Sequence, residues 1–483
     1  MSCMRLFSPK LHIAICFSFL IILLLDGCGV AKVNYMSPKG SVVHITDFGA
    51  KGDGITNCTT AFQSASAWLQ QKGGKLIIDK GTYVVGRQKL SGAYGAAASY
   101  ISEPILFFRN TKHPIEIIGE NAILKAAPGL KYGSFNPVTG KNDSLRTTGN
   151  FSDYYAAGVI FISSYGAVSM KIRGLELDGN SQSLDIGPAF GPEGIQLPAI
   201  GITLFNSQYA EVSDCNIHHC GLDAIIIAWT GLKDADPTFP HIIRNVKATY
   251  NGRQGLSWVG GNHLTVTDCE FSSTGKAINN RKAVVSKPSA GIDIEIEQSI
   301  IKNGLFENCI IYDNAGPGLS TIGHDTYDIN FRKCTFIGTT NSAAYPKSQN
   351  LSFDSCTFVG RVERIFGSKD KQKAISFKDC LFTLEQSMSP GGKVFGDTWE
   401  FYEGQNVVFD RCTFNAAGNY LPACNQKEIV FKDCDFYQNS DKDFWASAIF
   451  RGTTRFIMKG KGNIDERDAK FEGPVFINGK RIN

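Results

Sequence analysis

Val212-Ser-Asp-Cys-Asn-Ile217, Val266-Thr-Asp-Cys-Glu-Phe271, Phe306-Glu-Asn-Cys-Ile-Ile311, Phe331-Arg-Lys-Cys-Thr-Phe336, Phe353-Asp-Ser-Cys-Thr-Phe358, Phe377-Lys-Asp-Cys-Leu-Phe382, Phe409-Asp-Arg-Cys-Thr-Phe414 and Phe431-Lys-Asp-Cys-Asp-Phe436 share one template: apolar, two polar, Cys, any, apolar. The template returns every 22 to 25 residues, with longer gaps where loops intervene. A short strand-like unit repeated at such a period is the mark of a solenoid. In a parallel solenoid, like positions stack at about 4.8 Å from coil to coil, so the cysteines form an inward ladder. A buried thiol packs as a small hydrophobe, and one-layer stacking does not offer disulfide geometry. A zinc reading fails because no His or second Cys stands at ligand spacing.

Upstream of the ladder, Asp47-Phe-Gly-Ala-Lys-Gly-Asp-Gly54 leads into Thr59 to Lys72, where Ala61, Phe62, Ala65, Trp68 and Leu69 fall on one helical face. Gly73-Gly74 ends that helix, and Lys75-Leu-Ile-Ile-Asp79 resumes a strand pattern. A solenoid end exposes an apolar coil, so the helix is expected to act as a cap. The glycines of 49–54 lack the spacing and context of a phosphate loop and read as turns. Together with Gly73-Gly-Lys-Leu-Ile-Ile-Asp-Lys-Gly-Thr-Tyr83, this stretch resembles the amino-terminal signature of the pectate-lyase-like superfamily, which includes polygalacturonases, rhamnogalacturonases, epimerases and phage tailspikes. The resemblance implies an all-β, right-handed parallel β-helix with an N-terminal capping helix. It leaves the chemistry open, because that superfamily spans hydrolases, lyases, epimerases and binding proteins.

The first 28 residues read as a leader: Arg5 and Lys10 precede an apolar run from Leu11 to Leu25. That run is short against the roughly 20 residues of a membrane span. It ends in Leu25-Asp26-Gly27-Cys28, which resembles a bacterial lipobox, with Asp26 departing from the usual small or apolar residue. The expectation is an exported protein of the cell envelope, membrane-attached through a lipid on Cys28; the plain alternative is an ordinary cleaved signal or an uncleaved anchor, and either way the protein leaves the cytoplasm. The domain reading is a leader at 1–28, a linker at 29–40 and a single β-helix domain at 41–483, with its ends closed at about 41–90 and 440–483. A net charge of +4, dispersed along 483 residues, gives no nucleic-acid footprint and permits an acidic substrate.

Four segments align by a small residue followed by aliphatics: Asp223-Ala-Ile-Ile-Ile227, Gln254-Gly-Leu-Ser-Trp258, Ala290-Gly-Ile-Asp-Ile-Glu-Ile296 and Pro317-Gly-Leu-Ser-Thr-Ile322. In the third, a period of two sends Ile292, Ile294 and Ile296 inward and Asp293, Glu295 and Glu297 outward. Like charges crowded on one face cost stability and raise at least one pKa, as a general acid requires. The plain alternative is an exposed strand of solvated acids. Around this strand the alignment brings Asp223, Arg253, Gln254, Trp258, His324 and Asp325. The loop 272–289 adds Lys276, Arg281, Lys282 and Lys287, read either as a cationic wall for a uronate or sulfate or as a solvated insertion. Insertions 126–157, with Tyr132, Phe135, Phe151, Tyr154 and Tyr155, and 181–198 are long enough to overhang the groove.

These residues lead to an enzyme cleaving glycosidic bonds of an acidic polysaccharide. As a hydrolase it needs no cofactor: Asp293 or Glu295 protonates the leaving oxygen, and the other, or Asp223, activates water. As a lyase, Asp293, Glu295 and Glu297 hold Ca²⁺ while Arg253, Lys302 or His324 takes the proton beside a uronate carboxyl, with Arg253, Gln254, Trp258, Arg281, Lys282 and Asp325 binding substrate. A non-catalytic, tailspike-like glycan binder is the third reading. The Asn-Thr-Asp, Asp-Asp, Gly-His-Gly and Arg-Ile-Lys motifs of polygalacturonases do not occur in order, which argues against that family's machinery.

Overall fold

The computed structural model describes residues 41–94, 97–135, 154–187, 196–280, 282–297, 299–323, 325–401, 404–422, 424, 428–440, 444–445, 447–459, 464–465 and 469–483. The leader with Cys28, and with them Phe151, Arg281 and His324, lie outside the described residues.

Each repeat of the sequence template is a corner between two short strands. In Phe377-Lys-Asp-Cys-Leu-Phe382, strand Ile375–Lys378 ends, Asp379 turns the chain at φ 53°, Cys380 drops into the core, and strand Leu381–Thr383 follows. Asp214, Asp268, Asn308, Lys333, Ser355, Arg411 and Asp433 make the same left-handed turn before their cysteines. Asp and Asn tolerate that conformation better than other residues with a Cβ, which explains their frequency there. Strands before the corner pair in parallel with their counterparts one coil on, as do strands after it. The ladder cysteines are free and buried, as expected, and burial pushes the Cys215 thiol up to about 12. Between the coils the phenylalanines stack in register, Phe353 on Phe377 at 4.7 Å and Phe377 on Phe409 at 4.8 Å between ring centroids.

A separate eight-stranded parallel sheet forms a further face of the coil. Its strands are β1 (Leu106–Arg109), β2 (Ile160–Tyr165), β3 (Ile200–Phe205), β4 (Asp223–Ala228), β5 (Gln254–Trp258), β6 (Ala290–Glu295), β7 (Leu319–Ile322) and β8 (Ala344–Pro346). Each pairs with the next in chain order. Helix α1 (Thr59–Lys72) is present, with Ala61, Phe62, Ala65 and Leu69 buried in the same core that the coils share. Together these elements make the all-β parallel β-helix anticipated from the repeat.

Candidate active site

The four segments aligned by sequence lie side by side as β4 to β7: Ile225, Leu256, Ile292 and Leu319 form one inward row, and Ile226, Ser257, Asp293 and Ser320 the adjacent outward row. Their small residues have a steric reason. A Cβ on Gly255 would stand 2.6 Å from the Gly291 carbonyl oxygen and 2.9 Å from the Phe271 ring. This close packing breaks the strict alternation at the strand starts, so Asp223 and Gln254 reach the outward side chains Ser257 and Asp293.

Asp293 is the centre of the arrangement. It is only 5 % exposed. The Gln254 amide donates to its Oδ2 at 2.8 Å, while Oδ1 has no hydrogen-bond partner among the described residues. Gln254 is itself fixed, its Oε1 accepting the Ala290 N–H at 3.0 Å. Burial, then the neighbouring charge of Glu295, push Asp293 up to about 7 against the pull of Arg253. Burial likewise raises Glu297 to about 7. Asp293 is therefore not a solvated surface acid, and Glu295 and Glu297 beside it are half-buried. They are outward-pointing groups in a desolvated trough, where a neutral carboxyl persists near neutral pH.

Asp223 and Arg253 form the floor. Asp223 has no exposed surface; it accepts from Arg253 Nε at 2.7 Å, from Arg253 Nη2, and from Ser257 Oγ at 2.8 Å. Arg253 also donates to Gln196. So committed and without exposed surface, Asp223 and Gln254 are not open to a water or a substrate, and Gln254 positions Asp293, while Arg253 keeps 12 % of its side chain exposed. This corrects the expected direct roles of Asp223 and Gln254.

A groove of about 430 Å³ opens over Asp293 and Glu295, lined by Lys287, Pro288, Ser320, Asn341, Tyr345 and Lys347 among others. Tyr345 shares the outward row of Asp293 and Ser320. Its hydroxyl donates to Asn341 at 2.6 Å, and Lys347 and Arg364 lie 5.4 and 5.3 Å from its ring centroid. Burial lowers the Lys347 pKa. Sequence reasoning missed Asn341, Tyr345 and Lys347 because nothing in their local pattern marks them; only the register beyond β7 brings them to the acids.

Other expectations need correction. Trp258 is fully buried, two residues on from inward Leu256, and packs beside Phe306, so it touches no substrate. Asp325 and Lys282 are exposed and are not among the groove-lining residues. Lys276 is paired with Asp313 and Lys302 with Asp234, and neither lysine is among the groove-lining residues. Tyr132 and Phe135 are buried, not overhanging; of the side chains of Tyr154 and Tyr155 nothing is described. Among the described residues, the one group of three His, Cys, Asp or Glu ligand atoms within 4.8 Å of one another is Asp178, His218 and His219, away from the acids of β6.

Residues 200–383 match the family described as right handed beta helix region. No curated protein sequence matches the chain. Among solved structures, the mannuronan C-5 epimerase AlgE4 A-module of Azotobacter vinelandii is similar at 17 % identity over 90 % of this chain and 98 % of that one, with a TM-score of 0.41. The exopolygalacturonase of Thermotoga maritima is similar at 14 % identity over 98 % and 97 %, with a TM-score of 0.34, and the Dettilon tailspike at 12 % over 92 % and 72 %, with a TM-score of 0.46. The chain carries the right-handed parallel β-helix fold.

Proposed function

We propose that the chain is an exported enzyme that cleaves glycosidic bonds of a uronate-containing polysaccharide lying across β5 to β8. The observation that carries this reading is Asp293: a buried carboxyl that lines the groove, its pKa raised to about 7 by burial and by the charge of Glu295. Such a group holds a proton near neutrality and can give it to a leaving glycosidic oxygen, while Glu295, two residues on, acts on water. The two form a pair in which the charge of one keeps the proton on the other. Lys287 and Lys347 give the groove the positive charge that a uronate carboxylate needs, and Tyr345 supplies an aromatic face for a sugar ring. Export by the leader and attachment through Cys28 belong to the same proposal; Cys28→Ser should release the protein from membranes or block processing.

A second reading rests on Lys347. A partly buried amine with a lowered pKa beside acidic groups is suited to removing the proton next to a uronate carboxyl, which makes a lyase. A panel of uronic-acid glycans separates the readings. New reducing ends without ultraviolet absorbance mean hydrolysis; absorbance from unsaturated ends, lost in Lys347→Ala, means elimination. Binding without any product, unchanged in Asp293→Asn, would remove both and leave a glycan-binding protein.

A further inference from the structure

Away from the groove, the corner of the coil that precedes β4 gathers Asp178, His218 and His219. Asp178 and His218 are register partners on adjacent coils. His219 follows in a left-handed turn at φ 55°, its ring stacked on Tyr250 with centroids 5.2 Å apart. The two Nδ1 atoms face each other at 2.8 Å, and His218 Nδ1 lies 3.7 Å from Asp178 Oδ1.

Every one of these groups has a partner on its far side. His218 Nε2 meets Glu176 Oε1 at 3.3 Å, His219 Nε2 meets the Gln182 amide at 2.9 Å, and Asp178 Oδ2 meets Lys125 Nζ at 3.0 Å. Glu176 accepts a hydrogen bond from Nε2–H of neutral His218, so that ring's Nδ1 carries a lone pair toward the cluster. Imidazoles oriented by an outer carboxylate or amide, with the inner nitrogens convergent, are arranged as metal ligands are. The same network also closes without an ion, by His219 Nδ1–H donating to His218 Nδ1.

We propose that Asp178, His218 and His219 bind a divalent ion of the zinc class, through Oδ1 and the two Nδ1 atoms, with water completing a tetrahedron. Tetrahedral ligands at about 2.0 to 2.1 Å from the metal lie about 3.3 Å from one another, midway between the two separations seen here. Binding moves the proton of His219 from Nδ1 to Nε2, where it donates to Gln182 Oε1 after the amide rotates; no proton is gained or lost. Lys125 holds the oxygen of Asp178 that does not ligate. Because Asp178 and His218 belong to neighbouring coils, the ion clips two coils together just ahead of Asp223.

The test uses the chelator-stripped chain with Zn²⁺ in equilibrium dialysis and Co²⁺ in visible absorption. The expected result is one Zn²⁺ per chain and a Co²⁺ spectrum of tetrahedral intensity. Affinity falls at least tenfold in each of His218→Gln and His219→Gln, and is unchanged in His113→Gln, which lies elsewhere on the surface. Asp178→Asn, which keeps shape and loses charge, gives the same loss should a histidine variant not fold. Zn²⁺ binding that is absent from the wild-type chain, or equal in wild type and a folded variant of the three, overturns the site.

Discussion

The coils that end the molecule and the coils that carry the groove share one backbone and treat carboxylates in opposite ways. Toward the C-terminus, acids stand at the surface beside arginines: Asp379 with Arg411 at 2.7 Å, Asp435 with Arg455 at 2.7 Å and Glu472 with Arg451 at 2.7 Å. The hydrogen bonds from Arg411 and from Lys470 and Arg451 hold Asp379 and Glu472 below the ordinary carboxylate range. Over β5 to β7, burial lifts Asp293 and Glu297 to about 7. In the first region the interior does the work: phenylalanine stacks run uninterrupted, and the surface is neutralised. In the second, desolvated charge is kept on the outside of the sheet. Where a solenoid stops neutralising its surface is where chemistry is to be sought.

The sharpest test of the first half of this contrast is Phe377→Ala. It empties a site stacked on both sides, so stability should drop by about 3–5 kcal/mol in denaturant unfolding, with the groove unaltered in the fraction still folded. A loss no larger than that of a surface change would mean the stacks are ornamental.

Asp293→Asn tests the other half. Activity on the true substrate should fall by a factor on the order of 10² or more, although Asn can still accept the Gln254 hydrogen bond. In the wild type, kcat/KM should decline as pH rises through about 7 and the acid loses its proton. The stability sign is the reverse of that for a paired surface acid. Because the folded-state pKa lies above the ordinary 3.8, the native state holds an extra proton from about pH 4 to 7, and stability falls as pH rises through that window. The Asn variant should therefore melt higher than wild type at pH 8, with the difference shrinking toward pH 4. A variant equally active, or one without this pH dependence, would return the strand to plain surface.

Gly255→Ala places a methyl against the Gly291 carbonyl and the Phe271 ring. Overpacking of this kind costs about 1–3 kcal/mol, measurable by thermal unfolding, and activity should suffer beyond the stability loss because Gln254 would shift off Asp293. Smallest of all should be Arg455→Ala in the C-terminal coils, which removes an exposed ion pair. Its unfolding midpoint should barely move, and what movement there is should vanish at high salt.

The fold was legible because the cysteine template repeats at one coil per turn, and eight imperfect copies reinforce one another. The acidic strand was legible too, since Ile292 and Ile294 fix which way Asp293 faces. What escaped depended on register across coils. The clamp of Arg253 on Asp223 joins residues thirty apart in sequence, and Lys347 reaches the groove only because β8 follows β7. Trp258 shares the parity of inward Leu256, so the alternation already turns it into the core. The pairing of Asp178 with His218 likewise appears only when coils are stacked, though the adjacent histidines are visible in the chain.

The column of reduced cysteines has a consequence for how the molecule ages. While folded, the thiols are sealed from oxidants. Once unfolded, a chain with Cys309, Cys334, Cys356 and Cys380 spaced 22 to 25 residues apart can close many short loops of similar length, each a covalent mistake that the native coil cannot accommodate. Heating in air should thus act as a ratchet, each excursion trapping a further fraction, whereas the same heating with a thiol reductant should be far more reversible. The lifetime of such a protein outside a reducing compartment is set by how seldom it opens, not by how well it refolds.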